Sequence, residues 1–169
     1  DNSASMGTRE NESTRLARAQ EAAHAILSGL PGGTSGALAG AFHAHEASND
    51  LALVASRIDE ISQTDRHADL QQSLEVAARS LKGQAASVKE LYLVTDAHAP
   101  EWGNFAALEA RLRDIAMGVK VHLVTVGAPV RSNLAISSLR PAATLPSVNQ
   151  PFRVDVDVTN HGSVSMSAV

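Results

Sequence analysis

Short apolar runs with strand character alternate along this chain with helices that are apolar on one side. Residues 91–95 and 119–126 are runs of this kind, and residues 36–42 form a weaker one because of their alanines. Short apolar runs bounded by turn residues are typical of strands that are buried on both faces. Strands of this type that alternate with helices favour a parallel sheet covered by helices. We therefore predict the α/β class, with a doubly wound, mostly parallel sheet flanked by helices.

Four amphipathic helices are predicted from apolar residues that recur at three- and four-residue intervals. They begin near residues 14, 51, 70 and 105. Asn49 or Asp50 is the candidate N-cap of the second helix and Asp69 that of the third. Gly83 and Gly118 end the third and fourth helices. In the first helix we expect Arg15 on the polar side, away from the core.

The chain changes character after Gly127, where four prolines punctuate short runs that have no helical periodicity. Residues 133–139 form one such run, and in residues 152–158 valines alternate with charged residues, as in a half-exposed antiparallel strand. We predict three segments: residues 1–128 as the α/β domain, residues 129–150 as a Pro-containing linker with a short strand, and residues 151–169 as the truncated start of a β-sandwich.

Composition limits the chemistry of any site in this chain. Its 169 residues include no cysteine, which excludes disulfide scaffolds, cysteine-ligated metal centres and thiol catalysis. Fourteen Lys and Arg against 18 Asp and Glu give a net charge of -4, so nucleic acid is not an expected partner. No run approaches the roughly 18 apolar residues of a membrane span, so we expect no membrane contact by these residues.

Oxygen-bearing side chains cluster at two points of the predicted domain. Asp1, Ser3 and Ser5 place one carboxylate and two hydroxyls at alternate positions of a turn before the first helix, and Asp96 follows the strand at residues 91–95. Ligands bind at the carboxyl ends of strands in such sheets. Hard divalent cations take octahedral shells of oxygen ligands with one or two carboxylates. The pattern therefore predicts a Mg²⁺ or Mn²⁺ site formed by these four residues.

In their order along the chain, these features resemble the von Willebrand factor type A domain. The Asp1-x-Ser3-x-Ser5 sequence resembles its metal-ion-dependent adhesion site, and Asp96 resembles the aspartate of its third loop. The resemblance implies that Asp1, Ser3, Ser5 and Asp96 hold Mg²⁺, Mn²⁺ or Ca²⁺, and that an acidic residue of a protein partner completes the shell. It implies an adhesion-type interaction module that is not an enzyme. It also implies that residues 1–128 lack the family's first strand, which would end on Asp1.

The threonine ligand of that family has no clear counterpart here. If Asp69-Leu70 is aligned with the family's Asp-Leu pair, the threonine position is taken by Ala68, which has no ligand oxygen. Thr64 lies four residues earlier and is the alternative ligand if the loop takes a different route. Both possibilities stay open at the level of sequence.

A narrower resemblance extends into the second half of the chain. Residues 3–6, Ser-Ala-Ser-Met, and the region from Asn133 to Gly162 resemble bacterial membrane-anchored proteins of the BatA type. In those proteins an Ig-like module follows the type A domain, which implies that residues 151–169 begin an Ig-like β domain. Because the chain starts on Asp1 and stops within predicted β structure, we interpret it as part of a longer protein. The resemblance favours a membrane-anchored parent in the bacterial cell envelope.

There are three alternatives to a cation-dependent interaction module, and each concerns the same edge of the sheet. A divalent-metal phosphotransfer enzyme needs a second Asp beside Asp1 and a Lys after a later strand, where this chain has Val126 and Gly127. A degenerate scaffold binds nothing at this edge. A histidine zinc site is the third alternative. Its candidate ligands are His43, His45, His67 and His98.

Overall fold

The structure is a computed structural model that describes residues 1–40, 44–64, 70–97, 105–128, 134–141, 152–162 and 164–165. This part of the chain begins with a 3-10 turn at Ala4–Gly7. Its α-helices are α1 (Arg15–Ser28), α2 (Leu51–Asp59), α3 (Leu70–Lys82) and α4 (Phe105–Ala116). Its strands are β1 (Arg9–Glu10), β2 (Ser13–Thr14), β3 (Gly36–Ala39), β4 (Ala44–Ser48), β5 (Glu90–Thr95), β6 (Lys120–Thr125), β7 (Leu134–Pro141) and β8 (Val154–Asn160).

The helices begin where the sequence predicts them, for local reasons. The Thr14 hydroxyl accepts a hydrogen bond from the Ala17 backbone nitrogen and caps α1. The Asp50 carboxylate does the same for α2, accepting from the Ala52 and Leu53 nitrogens. No helix in the described residues is both long enough and apolar enough to cross a membrane.

The chain forms two units, Asp1–Gly127 and Ala128–Val169. At the centre of the first unit, β5 and β6 are parallel and in register from Glu90 opposite Lys120 to Thr95 opposite Thr125. Alternate side chains of a strand point to opposite faces. Leu91 and Leu93 pack with α3 and α4 against the cluster of Leu74, Ala78 and Ile115. Val94 points the other way and packs with Met6, Leu16, Ala19 and Val126. Helices therefore pack on both faces of β5, as the sequence predicts, whereas β6 is less covered than predicted, since its Leu123 is 53% exposed.

The sheets in the described residues are small, since each contains two strands. β3 and β4 pair antiparallel, with Leu38 opposite His45, and β1 and β2 form another antiparallel pair. We predicted β3 as a strand of a mostly parallel sheet. The connection from Ala39 to Ala44 is too short for a parallel crossover, which needs a dozen or more residues, so an antiparallel hairpin forms instead.

The second unit contains the antiparallel pair of β7 and β8. Ile136 lies opposite Val158 and Leu139 opposite Val156, with a bulge between Ile136 and Ser138. β7 falls within residues predicted as a linker with a short strand, and it pairs with the strand predicted after that linker. An Ig-like β-sandwich stays a prediction, because the described residues of this unit form a two-stranded sheet.

Candidate functional site

Asp1 lies at the carboxyl end of β5. Its amino nitrogen donates a hydrogen bond to the Val94 carbonyl oxygen over 3.0 Å. Its carboxylate oxygen Oδ2 accepts a 2.7 Å hydrogen bond from the hydroxyl of Thr95, the last residue of β5, which is 1% exposed. The structure therefore brings Asp1 to the strand end that Asp96 follows, the edge at which parallel sheets bind their ligands.

Residues 1–5 form a turn, called the Asp-Ser turn below, that is closed by its own hydrogen bonds. The Ser3 nitrogen donates to Asp1 Oδ1 over 3.0 Å, and the hydroxyl oxygens of Ser3 and Ser5 are 3.1 Å apart. Ser3 is 1% exposed, and Met6, which follows the turn, is fully buried in the core. The turn is thus anchored to the packed interior while its oxygen atoms remain close together.

The spacing of the two hydroxyl oxygens fits an octahedral cation. Two ligands at about 2.1 Å from Mg²⁺ and at right angles are about 3.0 Å from each other. Ser3 Oγ and Ser5 Oγ are 3.1 Å apart, and the carboxylate of Asp1 is hydrogen-bonded to the same turn. One carboxylate and two hydroxyls are hard oxygen donors, which suit Mg²⁺ or Mn²⁺. The residues present therefore fit a divalent cation.

Thr64 lies beside the Asp-Ser turn. The Thr64 nitrogen donates to the Asn2 carbonyl oxygen over 2.9 Å, and the Asn2 side-chain amide donates to the Ser62 carbonyl oxygen over 2.9 Å. These two bonds hold residues 62–64 along the turn. Ala68 and Asp69, which the sequence alignment places at the threonine loop, lie outside the described residues.

Asp96 is enclosed by an ion pair with Arg15. Arg15 Nη1 donates to Asp96 Oδ2 over 2.6 Å, and the two side chains are 4% and 0% exposed. Arg15 Nε also donates to Glu10 Oε1 over 2.8 Å. Burial lowers the pKa of Arg15, but the hydrogen bonds to Glu10 and Asp96 outweigh it and raise the pKa above its ordinary value. Arg15 therefore stays charged between its two carboxylates.

Our expectation that Arg15 lies on the polar side of α1 is wrong. Arg15 is the first residue of the helix and is buried, and a buried cation persists where carboxylates compensate its charge. Gly127 makes room for it: the φ of Gly127 is +88°, and a Cβ there would lie 2.7 Å from Arg15 Nε. Sequence reasoning missed these roles of Glu10, Arg15 and Thr95; the partners Asp96 of Arg15 and Asp1 of Thr95 are 81 and 94 residues away in the chain. A glycine two residues after β6 was the available signal.

The histidine alternative gains no support from the residues that the structure describes. Among them, no group of three or more His, Asp or Glu side chains is arranged to hold a metal ion. His45 lies in β4 opposite Leu38, whereas His43, His67 and His98 lie outside the described ranges. A mixed site of one carboxylate and two hydroxyls, as in the Asp-Ser turn, is a different donor set.

Comparisons with known proteins bear on the family of this chain. A crystal structure of the conserved hypothetical protein BatB from Bacteroides thetaiotaomicron is similar, with a TM-score of 0.61 and 20% sequence identity over 95% of this chain and 77% of that one. At this identity the likeness shows the fold alone. No protein in the search of curated proteins matches. The family model for the von Willebrand factor type A domain matches residues 1–98, more than half of the chain. Domains of this type are commonly protein-interaction modules. The chain belongs to the von Willebrand factor type A domain family.

Proposed function

We propose that this domain binds a divalent cation, Mg²⁺, Mn²⁺ or Ca²⁺, through the Asp-Ser turn and presents it to an acidic group of a protein partner. The observation that carries the proposal is the 3.1 Å separation of Ser3 Oγ and Ser5 Oγ in a turn that also holds the Asp1 carboxylate. A turn fixed in this way by the core requires little reorganisation when a cation binds.

Charge supports an acidic partner. Arg15 compensates Asp96 within a buried ion pair, which leaves Asp1 as the carboxylate that offsets the charge of the cation. A divalent ion with one carboxylate ligand keeps a net charge of about one positive unit at the surface. A carboxylate of the partner neutralises that charge and supplies a further oxygen ligand. The residual positive charge of the bound cation therefore makes the site specific for acidic residues.

Two further residues have proposed roles near the cation. Thr64 is the proposed additional ligand, since the hydrogen bond between its nitrogen and the Asn2 carbonyl oxygen holds it next to the turn. Asp96 is proposed to act through water, because its carboxylate is bonded to Arg15. Hydrogen bonds to ligand groups orient them around a cation, and such outer contacts contribute to affinity.

The domain organisation of the chain is part of the same proposal. We propose that residues 1–128 are the interaction domain and residues 129–150 a connecting segment. Residues 151–169 are the proposed start of an Ig-like domain in a membrane-anchored protein of the bacterial cell envelope. The support is the sequence resemblance together with the pairing of β7 and β8 in a unit of their own.

Titration of Mn²⁺ into the protein, followed by paramagnetic broadening of backbone NMR signals, tests cation binding. We expect broadening of the signals of residues 1–5 and 95–97, with competition by Mg²⁺. Asp1→Asn and Ser3→Ala should weaken binding at least tenfold. Asp59→Asn and Ser28→Ala are matched controls, because their hydrogen bonds lie outside the Asp-Ser turn. Asp59, on α2, bonds to His24, and Ser28, on α1, donates to the Ala25 carbonyl oxygen. Equal affinity in Ser3→Ala and Ser28→Ala would contradict the proposal.

A second measurement tests the acidic partner and the absence of catalysis. Acetate represents the partner carboxylate, and protein-bound Mn²⁺ should relax its methyl protons more strongly than the same Mn²⁺ with the Asp1→Asn variant. Ethanol, which has no carboxylate, should show much less of this effect. The proposal includes no chemical step, so turnover of acetyl phosphate that requires Mg²⁺ and Asp1 would instead support the phosphotransfer alternative.

A further inference from the structure

A cavity of about 470 Å³ opens between α3 and α4 at the amino-terminal end of β5 and β6. Lys89, directly before β5, and Val119, directly before β6, both line it. Asp96 follows the other end of β5, and six paired residues at about 3.3 Å each put roughly 20 Å between the two ends. The cavity is therefore separate from the Asp-Ser turn.

The inner wall of this cavity is apolar. It is formed by residues of the two helices and of the segment before β6: Ala78, Leu81, Ile115 and Val119. Ala78 and Ile115 also belong to the hydrophobic core, so the wall is part of the packed interior of the unit. The volume lies within the range of roughly 300–1,000 Å³ that is usual for small-molecule sites.

The charged side chains that line the cavity are mostly cationic. Lys82, Lys89 and Arg111 line it together with one carboxylate, that of Asp114. In the described part of the chain, none of these three cations forms an ion pair with a carboxylate. The lining of the cavity therefore has an excess of positive charge, whereas the chain as a whole has a net charge of -4. The cavity is thus a local positive region on an acidic protein, and it attracts anions.

Arg111 provides a specific donor for such an anion. Its Nε atom is buried and has no hydrogen-bond acceptor among the described residues. A buried donor without an acceptor is costly, which favours a rotation of the guanidinium that would let a ligand in the cavity accept this hydrogen bond. Arginine also binds carboxylate and phosphate groups with two parallel hydrogen bonds, which gives both strength and orientation.

We propose that this cavity binds a small amphipathic anion. A carboxylate or phosphate head group is held by Arg111, Lys82 and Lys89, and a short alkyl chain packs on the apolar wall. This inference concerns a second site at the opposite end of the strands, so it does not depend on cation binding by the Asp-Ser turn.

Titration of the ¹⁵N-labelled protein with octanoate and with octyl phosphate tests the proposal. We expect saturable shifts of the amide signals of Lys89, Arg111 and Gly118 with at least one of the two ligands. The ligand that binds more tightly shows which head group the site prefers. Octanol, which has the chain without the anion, and inorganic phosphate, which has the anion without the chain, should each bind at least tenfold more weakly.

Variants identify the residues that hold the head group. Arg111→Gln should weaken binding at least fivefold, and Lys82→Gln, at an exposed position that does not support the core, should also weaken it. Arg113→Gln is the matched control, because Arg113 lies on the same helix and pairs with Glu109 in solvent. Unchanged affinity in both Arg111→Gln and Lys82→Gln, or octanol binding as tightly as octanoate, would overturn the proposal.

Discussion

Gly127 and Arg15 approach so closely that glycine is the residue the site requires at position 127. A Cβ on Gly127 would lie 2.7 Å from Arg15 Nε and 3.0 Å from Arg15 Cδ. The guanidinium of Arg15 in turn donates to the buried carboxylate of Asp96. The end of β6, the start of α1 and the end of β5 are therefore connected through one side chain.

Gly127→Ala should destabilise the first unit for two reasons. The positive φ of this residue costs an L side chain about 1–2 kcal/mol, and the new methyl group displaces Arg15, which adds about 1–3 kcal/mol of overpacking. Gly33→Ala is the matched control, since Gly33 has a similar φ of +83° and nothing within 4 Å of a Cβ. Urea unfolding measures both losses. Equal losses of unfolding free energy in Gly127→Ala and Gly33→Ala would show that the contact with Arg15 does not contribute to the effect.

Arg15→Met should lower the free energy of unfolding by about 3–5 kcal/mol, because it leaves the Asp96 carboxylate buried without its cation. Arg18→Met removes a neighbouring, more exposed partner of Glu10 and should cost about 1 kcal/mol or less. The double variant Arg15→Met/Asp96→Asn should recover part of the loss, since no buried charge then remains without its partner. Additive losses in the double variant would contradict a direct Arg15–Asp96 interaction.

Leu74→Ala should cost about 2–5 kcal/mol, because Leu74 is 2% exposed and belongs to the cluster between α3, α4 and the strand pair. Leu53→Ala, on the exposed side of α2, should change the free energy of unfolding by about 0.5 kcal/mol. Chemical denaturation of the two variants gives the comparison. A small loss at Leu74 would mean that this cluster does not stabilise the unit.

Glu90 should show a pH response that depends on Tyr92. A hydrogen bond from the Tyr92 hydroxyl, opposed by desolvation and assisted by Lys120, lowers the pKa of Glu90. A lowered carboxyl pKa contributes stability that is present above the unfolded pKa and is lost as the pH falls through the folded pKa. Tyr92→Phe should therefore raise the Glu90 pKa toward its ordinary value, as followed by NMR titration.

Lys120→Gln is the control for that titration, and it should raise the Glu90 pKa less than Tyr92→Phe does. In Tyr92→Phe the Glu90-dependent loss of stability on acidification should also be smaller and should end at a higher pH, because the folded pKa moves toward the unfolded one. A Glu90 pKa that is the same in the wild type and in Tyr92→Phe would show that the 2.5 Å Tyr92–Glu90 hydrogen bond does not control it.

Much of the first unit is predictable because its signals are local. The helices follow from their apolar periodicity and from caps such as Thr14 and Asp50. β5 and β6 follow from short, predominantly apolar runs. The meeting of Asp1 with the end of β5 follows from a general rule about parallel strands. Whether these residues bind a cation stays a prediction.

The rest depends on contacts between distant residues. β4 contains His45 and Glu46 and shows no strand periodicity, so it is a strand because β3 pairs with it. Arg15 is buried because Asp96, 81 residues later, compensates its charge. The position of Thr64 likewise follows from a hydrogen bond to Asn2. A single sequence carries no local sign of such pairs.

The bulge in β7 has a consequence for insertions and deletions. Ser137 is the extra residue between Ile136 and Ser138, and it allows Ile136 and Leu139, three positions apart, to face the same side as Val158 and Val156. A variant without Ser137 would restore plain two-residue alternation and keep the same apolar face. Removing a residue on either side of the bulge would instead turn part of that face over. The strand should therefore tolerate a change in length at Ser137 and at few other positions.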